Sequence, residues 1–323
     1  MDTRVKLESY NVLIVGDIML DRYLTGKVRR ISPEAPVPIL ENIDIDIMPG
    51  GAANVALNIK TLGSVPILLS VVGDDDNGQK LINCIGENHI STDNIIRDKS
   101  RQTTVKTRIM SNGQHILRID EEDTDIVNNS VKEKILRSFR QIIEGNKINA
   151  IILQDYDKGL LDKYIITHII EKAKEKNIFV AVDPKFNDFF SYKDVDLFKP
   201  NLNEVSSALN NKITPVKSDL DKTAAILNSK LNFKHLYVTL GSKGIYYSNG
   251  KNKSKIIPTK LRTVVDVSGA GDVVLSVATL FFVAGYSPEE VAVYSNLAGG
   301  LACGKVGVAT VKKDRLLEEI IKS

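Results

Sequence analysis

The pattern of the chain predicts an α/β fold: a mostly parallel central sheet with helices on both faces and a small β-sheet lid. Three observations carry that expectation. Short β-rich apolar runs alternate with helical patterns over most of the 323 residues. Two segments break the alternation by switching to period two. A closing segment rich in Ala, Val, Leu and Gly reads as two packed helices.

The strand candidates are residues 11–16, 65–72, 150–153, 178–182 and 235–240, all short apolar runs rich in Val, Ile and Leu. Between them, 52–62, 78–88, 131–144, 161–174 and 220–231 carry apolar residues at helical spacing. The period-two segments, 37–48 and 104–120, are not followed promptly by a helix. They read as antiparallel strands outside the main sheet, the core of a lid drawn from about 20–48 and 97–121. Residues 271–304 form the helix pair, split by Gly285-Tyr286-Ser287-Pro288.

Composition narrows the partners. Forty-three Lys and Arg against 40 Asp and Glu leave a formal charge of +3 with both signs interspersed, unlike the basic stripe of a nucleic-acid binder. No apolar stretch is long enough to span a bilayer, and Asp2, Arg4, Lys6 and Glu8 ahead of a short apolar run do not make a signal peptide. Cys84 and Cys303, far apart and without metal-type spacing, read as free, buried thiols in a reducing compartment, the cytoplasm. His89, His115, His168 and His235 sit in no ligand motif. The expectation is one domain over 1–323 that binds small molecules.

Chemistry concentrates in Asp266-Val267-Ser268-Gly269-Ala270-Gly271-Asp272, which precedes an apolar helical run. Small residues admit a ligand close to the backbone, and the N–H groups of a helix N-terminus point at an anion: a phosphate-binding turn. Asp272, in the first turn, can reach a hydroxyl about to attack, the task of a kinase base. The helix dipole is expected to keep it ionised. Taken alone, the same string also suits an ordinary glycine-rich helix start. A second string, Pro49-Gly50-Gly51-Ala52-Ala53-Asn54-Val55-Ala56, runs from a lid strand into a helix; its glycine pair permits close approach to a polyhydroxy ligand, and Asn54 offers a donor and an acceptor. A P-loop is excluded because Gln79 stands where its lysine belongs, and a dinucleotide fingerprint because Gly16-Asp17-Ile18-Met19 follows the first strand.

With both strings in place the chain resembles the PfkB carbohydrate kinases. Gly50, Gly51, Ala52, Asn54, Ala56, Gly63 and Gly73 fall at the spacings of the first signature of that family, and 266–272 match the second. Over its whole length it is similar to the bacterial D-glycero-β-D-manno-heptose 7-phosphate kinase branch, through Asp21-Arg22-Tyr23, the run from Arg30 to Pro38, Asp155-Tyr156-Asp157-Lys158-Gly159 and Asp183-Pro184-Lys185. The resemblance implies a ribokinase-like fold and transfer of a phosphoryl group from ATP, with Mg²⁺, to the anomeric hydroxyl of that heptose phosphate, for lipopolysaccharide core or other surface glycans. By the same resemblance Asp272 is the catalytic base and Gly269, Ala270 and Gly271 form the anion hole. Asp21, Gly50, Gly51, Asn54 and Asp155 are expected at the sugar. Asn201, Thr239, Gly241 and Gly244 face the nucleotide, and Glu204 of the Asn-x-x-Glu motif serves Mg²⁺ indirectly through the phosphates.

A sugar that already carries a phosphate needs cations, and Arg30, Lys106, Arg108, Arg118 and Lys185 are the candidates. Edge strands in the lid suggest a homodimer joined there. Relatives with a fused nucleotidyltransferase are longer, so a separate enzyme is expected to supply that step. Ser268, Val273, Val277 and Gln154 depart from the usual residues of the family at their positions. Two alternatives stay open: a PfkB-class kinase for ribose, fructose, a hexose phosphate or a nucleoside, and a non-catalytic sensor on the same fold.

Overall fold

The structure, a computed structural model, describes residues 5–259, 266–304, 307 and 310–322; Asp2 and Arg4 lie outside them. The first strand, β1 (Asn11–Gly16), runs into β2 (Ile18–Ile31), which turns back as β3 (Pro38–Gly51) and opens α1 (Ala52–Thr61). Next come β4 (Val65–Gly73), α2 (Asp76–Glu87), β5 (Ile95–Asp98) and the hairpin β6 (Val105–Ser111) and β7 (Gln114–Glu121). The alternating part holds α3 (Asn129–Gly145), β8 (Ala150–Gln154), α4 (Lys163–Glu175), β9 (Phe179–Asp183) and a two-residue β10 (Leu197–Phe198). It continues through α5 (Leu202–Ala208), α6 (Lys217–Leu231), β11 (His235–Thr239), β12 (Ile245–Ser248) and β13 (Ser254–Ile257). Helices α7 (Ala270–Val283), α8 (Pro288–Ala302) and α9 (Lys313–Ile321) follow.

Among the described residues the main sheet has the order β13-β12-β11-β10-β9-β8-β1-β4-β5, parallel from β11 to β5 and antiparallel at β12 and β13. Both faces are covered, so neighbouring residues of one strand enter different cores. Val12 and Ile14 pack with α1, α7 and α8, while Leu13 and Val15 pack with α3 and α4. This double burial explains why the strands read as continuous apolar runs. Helices α2, α3, α4 and α8 begin where Asp75, Asn128, Asp162 and Ser287 accept a backbone N–H three residues on, which fixes where each chain segment leaves its loop.

The chain leaves β1 toward β4 and β5 on one side and later toward β8 to β11 on the other. A crevice outside the carboxyl ends of β1 and β8 follows from that reversal, and ligands of open α/β sheets bind in such crevices.

The lid is a separate sheet of order β3-β2-β6-β7. It differs from expectation in two respects. β2 and β6 pair in parallel, not antiparallel, because β2 continues outward from β1 and β6 arrives from the same edge of the body. Residues 97 and 98 belong to β5 of the main sheet, so the second lid segment starts at Val105.

Candidate active site

Asp272 lies in the first turn of α7, whose N-cap Gly269 has φ 76°, a left-handed conformation suited to glycine. The helix is buried almost all round, so its N-terminus is held firmly over the carboxyl ends of β8 and β9. The Asp272 side chain is buried and accepts three hydrogen bonds. Asn54 Nδ2 donates to Oδ2 at 2.7 Å, Tyr156 Oη donates to Oδ1 at 2.9 Å, and Gln154 Nε2 donates to Oδ1 at 3.3 Å.

The helix dipole does not hold Asp272 at an ordinary aspartate value, yet the carboxyl stays mostly ionised at neutral pH, as expected. Burial raises Asp272 to about 6, and the Asp183 carboxylate adds to the rise, against the hydrogen bonds from Asn54 and Tyr156 and the charge of Lys199. Desolvation outweighs the dipole because the carboxylate has lost its water on every side. A base with this value is better matched to neutral pH than an ordinary aspartate.

A cleft of about 780 Å³ runs from Asp272 along the ends of β9 and β11, within the range of small-ligand sites. The predicted anion hole, Gly269, Ala270 and Gly271, lines it beside the predicted nucleotide residues Asn201, Thr239, Gly241 and Gly244. The Asn-x-x-Glu motif proves to be a helix capping box: Asn201 Oδ1 accepts the Glu204 N–H at 2.9 Å and Glu204 Oε2 accepts the Asn201 N–H at 2.7 Å. The other oxygen of Glu204 pairs with Lys185. Lys199, buried at the edge of the cleft, is paired with Asp183 at 2.8 Å. A Cβ on Gly271 would come 3.6 Å from Lys199 Nζ, which places that ammonium directly under the anion hole.

On the lid side, Asp21 is buried and paired with Arg108, whose guanidinium also lies 5.2 Å from the centre of the Tyr23 ring. The glycine pair serves the protein's own strand as well as any ligand. A Cβ on Gly50 would meet Asp21 Oδ2 at 2.1 Å, and one on Gly51 would meet the Asp17 carbonyl at 2.3 Å.

Other predicted residues lie elsewhere. Lys106 pairs with Asp120 and Glu122, each at 3.2 Å, and Arg118 with Asp120 at 2.9 Å, both on the same lid face as Arg108. Arg30 stands exposed toward the far end of β2, paired with Glu41. Asp155 points away from the cleft and accepts the Tyr192 hydroxyl at 2.7 Å in a buried contact. Lys185, grouped in the sequence with the sugar-phosphate cations, lines the cleft beside Asn201 and Thr239. The thiols Cys84 and Cys303 are free but only half-buried, because both sit at the edge of a helix, Cys303 against the cleft.

Gln154, Tyr156, Asp183 and Lys199 were not assigned roles from the sequence. Gln154 and Asp183 end the short buried strands β8 and β9 and Tyr156 comes two residues after β8, and that position at a strand's carboxyl end was the available signal; Lys199 follows β10, which is too short to give one. No group of three or more His, Cys, Asp or Glu among the described residues could chelate a metal by itself.

Known proteins resemble the chain over nearly its whole length. The chain is 36% identical over 315 residues to the bifunctional protein HldE of Pelobacter propionicus, an alignment covering 98% of this chain and 64% of that protein. It therefore spans less than two thirds of that relative. Among solved structures it superposes on phosphofructokinase-2 from Escherichia coli in complex with substrates and products, with TM-score 0.81, 19% identity and 98% and 99% of the two chains covered. It also superposes on Arabidopsis thaliana ribokinase complexed with ribose and ATP, with TM-score 0.75, 19% identity and 97% and 99% covered. These place the fold as ribokinase-like. The model of the pfkB family carbohydrate kinases matches residues 10–315, and with Asp272 and its glycine turn at the mouth of the cleft the chain is a phosphotransferase acting on a sugar hydroxyl that belongs to this family.

Proposed function

We propose that the chain transfers the γ-phosphoryl group of ATP to the anomeric C1 hydroxyl of D-glycero-β-D-manno-heptose 7-phosphate, giving the 1,7-bisphosphate. The observation that carries the reading is the position of Asp272, which joins the two halves of the site: Asn54 and the lid residues on one side, the anion hole and cleft on the other. The branch rests on the strings quoted above and on the 36% identity to HldE across almost the whole chain.

In this reading Asp272 orients the hydroxyl and accepts its proton late, as a loose phosphoryl-transfer transition state allows. The N–H groups of Gly269, Ala270 and Gly271 and the Lys199 ammonium stabilise charge on the moving phosphoryl group. Thr239, Gly241 and Gly244 form the wall for the nucleotide. Mg²⁺ would arrive with ATP and neutralise phosphate charge, with Glu204 acting on it indirectly from behind Lys185. Arg108, Lys106 and Arg118 offer the lid cations for the phosphate the sugar already carries.

The test is ATP consumption with Mg²⁺ across D-glycero-D-manno-heptose 7-phosphate, ribose, fructose and fructose 6-phosphate. Turnover confined to the heptose phosphate is expected. Preference for another sugar would discard the branch and keep the kinase, and absence of turnover with all of them would favour a sensor.

The lid supports a further element of the proposal, a homodimer. Ile45, Leu24, Ile109 and Leu117 pair in one register line across all four lid strands, on the face opposite Asp21 and Arg108, and Ile45 and Leu117 are more than half exposed. An apolar row of this kind on a sheet is suited to packing against its own copy. No helix among the described residues is long and apolar enough to cross a membrane. Sedimentation is expected to give twice the chain mass for the parent and a monomer for the Ile45→Lys, Leu117→Lys double variant; an unchanged dimer would move the interface off the lid.

A further inference from the structure

A carboxylate offers four lone-pair positions, two on each oxygen. In Asp272 both positions of Oδ1 are filled, by Tyr156 Oη at 2.9 Å and Gln154 Nε2 at 3.3 Å, while among the described residues Oδ2 receives only Asn54 Nδ2 at 2.7 Å. One position, on Oδ2, is left for a substrate. We infer that Tyr156 is a positioning residue for phosphoryl transfer: its hydroxyl locks the Asp272 carboxylate so that Oδ2 alone receives the substrate proton.

Several contacts show that Tyr156 is itself held for this task. Its backbone N–H donates to Asp17 Oδ2 at 2.8 Å, and the N–H of Lys158 donates to the same oxygen at 3.2 Å. Asp17 is the buried residue between β1 and β2, at the point where the chain passes from the main sheet into the lid. Arg101 Nη2 donates to the Lys158 carbonyl at 2.5 Å and clamps the far end of the loop. On the cleft side the Tyr156 ring lies 5.3 Å from Lys185 Nζ. The loop thus ties the base to both halves of the site. Burial and the neighbouring Asp272 charge hold the Tyr156 phenol well above its ordinary range, so it stays a donor and does not compete for the proton.

Every element around Asp272 contributes a facing group. Helix α1 gives Asn54, β8 gives Gln154 and then Tyr156, β9 gives Asp183, and the segments after β9 and β10 give the cations Lys185 and Lys199. Asp183 opposes ionisation of Asp272, whereas Tyr156, Asn54 and Lys199 favour it. Removing the Tyr156 hydroxyl therefore raises the pH at which the base becomes active.

The inference rests on the kinase reading, and its test uses the isosteric Tyr156→Phe variant with two independent readouts. In turnover against pH, the parent is expected to lose activity as pH falls through about 6, where Asp272 takes up its proton. In Tyr156→Phe that limb is expected to move up by about one unit, with turnover at pH 6 down about fivefold, recovery toward parent rates at pH 8 and KM for ATP unchanged. A tyrosine that only packs would lower turnover equally at all pH values or not at all. Carbon-13 NMR of aspartate-labelled protein, with the Asp272 signal assigned by its loss in Asp272→Asn, reads the same shift without catalysis. An unmoved midpoint would overturn the inference even where the kinase reading stands. A parent that turns over no sugar would sink the kinase reading and leave the NMR titration to decide the role of Tyr156.

Discussion

Asp272→Asn is expected to lower sugar-dependent ATP turnover by about two to four orders of magnitude, the scale of a positioned acid or base, without loss of the fold. Asparagine has nearly the same shape and keeps one acceptor oxygen, so the glycine turn and the start of α7 persist. It cannot take a proton. The variant is also expected to melt no lower than the parent at pH 8, for a reason that can be worked out in sign. The folded pKa of Asp272, about 6, lies above the ordinary aspartate value of 3.8, so the folded state holds this proton more tightly than the unfolded chain. Its contribution to stability is greatest at low pH, falls as pH rises from about 4 to 6, and is absent above. The parent thus carries an unfavourable buried charge for the sake of its chemistry, and asparagine removes it. Turnover and a thermal melt measured on the same preparation check both halves; turnover within tenfold of the parent would remove Asp272 from the role of base.

Lys199→Met is expected to lower the free energy of unfolding by about 3 kcal/mol or more, read from urea unfolding, because it strands a buried carboxylate. Asp183 would keep the Gln154 amide at 3.3 Å and the more distant charge of Lys185 in place of an ammonium at 2.8 Å. Against a total stability of about 5–15 kcal/mol this is a large share. The Lys199→Met, Asp183→Asn pair is expected to recover much of the loss, since an apolar side chain facing an amide leaves no unpaired charge. Its ATP turnover should stay low, because the cation beneath the anion hole is still missing. A cost below about 1 kcal/mol for the single variant would mean that water reaches the pair through the cleft.

The two signatures were legible because each is a local device. A glycine turn followed by an apolar helix brings its own N–H groups to one point, whatever the rest of the chain does. The buried strands β1, β4, β8, β9 and β11 and helices α1 to α4 and α6 were legible for the same reason: apolar period shows over a few residues which faces must leave water. β2 was harder to read as a strand throughout, because its outer half carries charges suited to an exposed edge. The two-residue β10 is too short to show any period.

What the sequence determined by itself was the family and the layered α/β architecture, and it singled out the aspartate proposed as the base; all of these follow from patterns a few residues long. Tertiary structure alone decided the state of that base and its neighbours. Asn54 stands 218 positions from Asp272 and Tyr156 stands 116, yet both donate to it. Lys185 went to Glu204 and not to the lid, and Asp155 went to Tyr192 and not to the cleft. The physical reason is that desolvation and ion pairing depend on everything within a few ångströms in space. The order of the strands sets those distances, and no local pattern in the sequence encodes them.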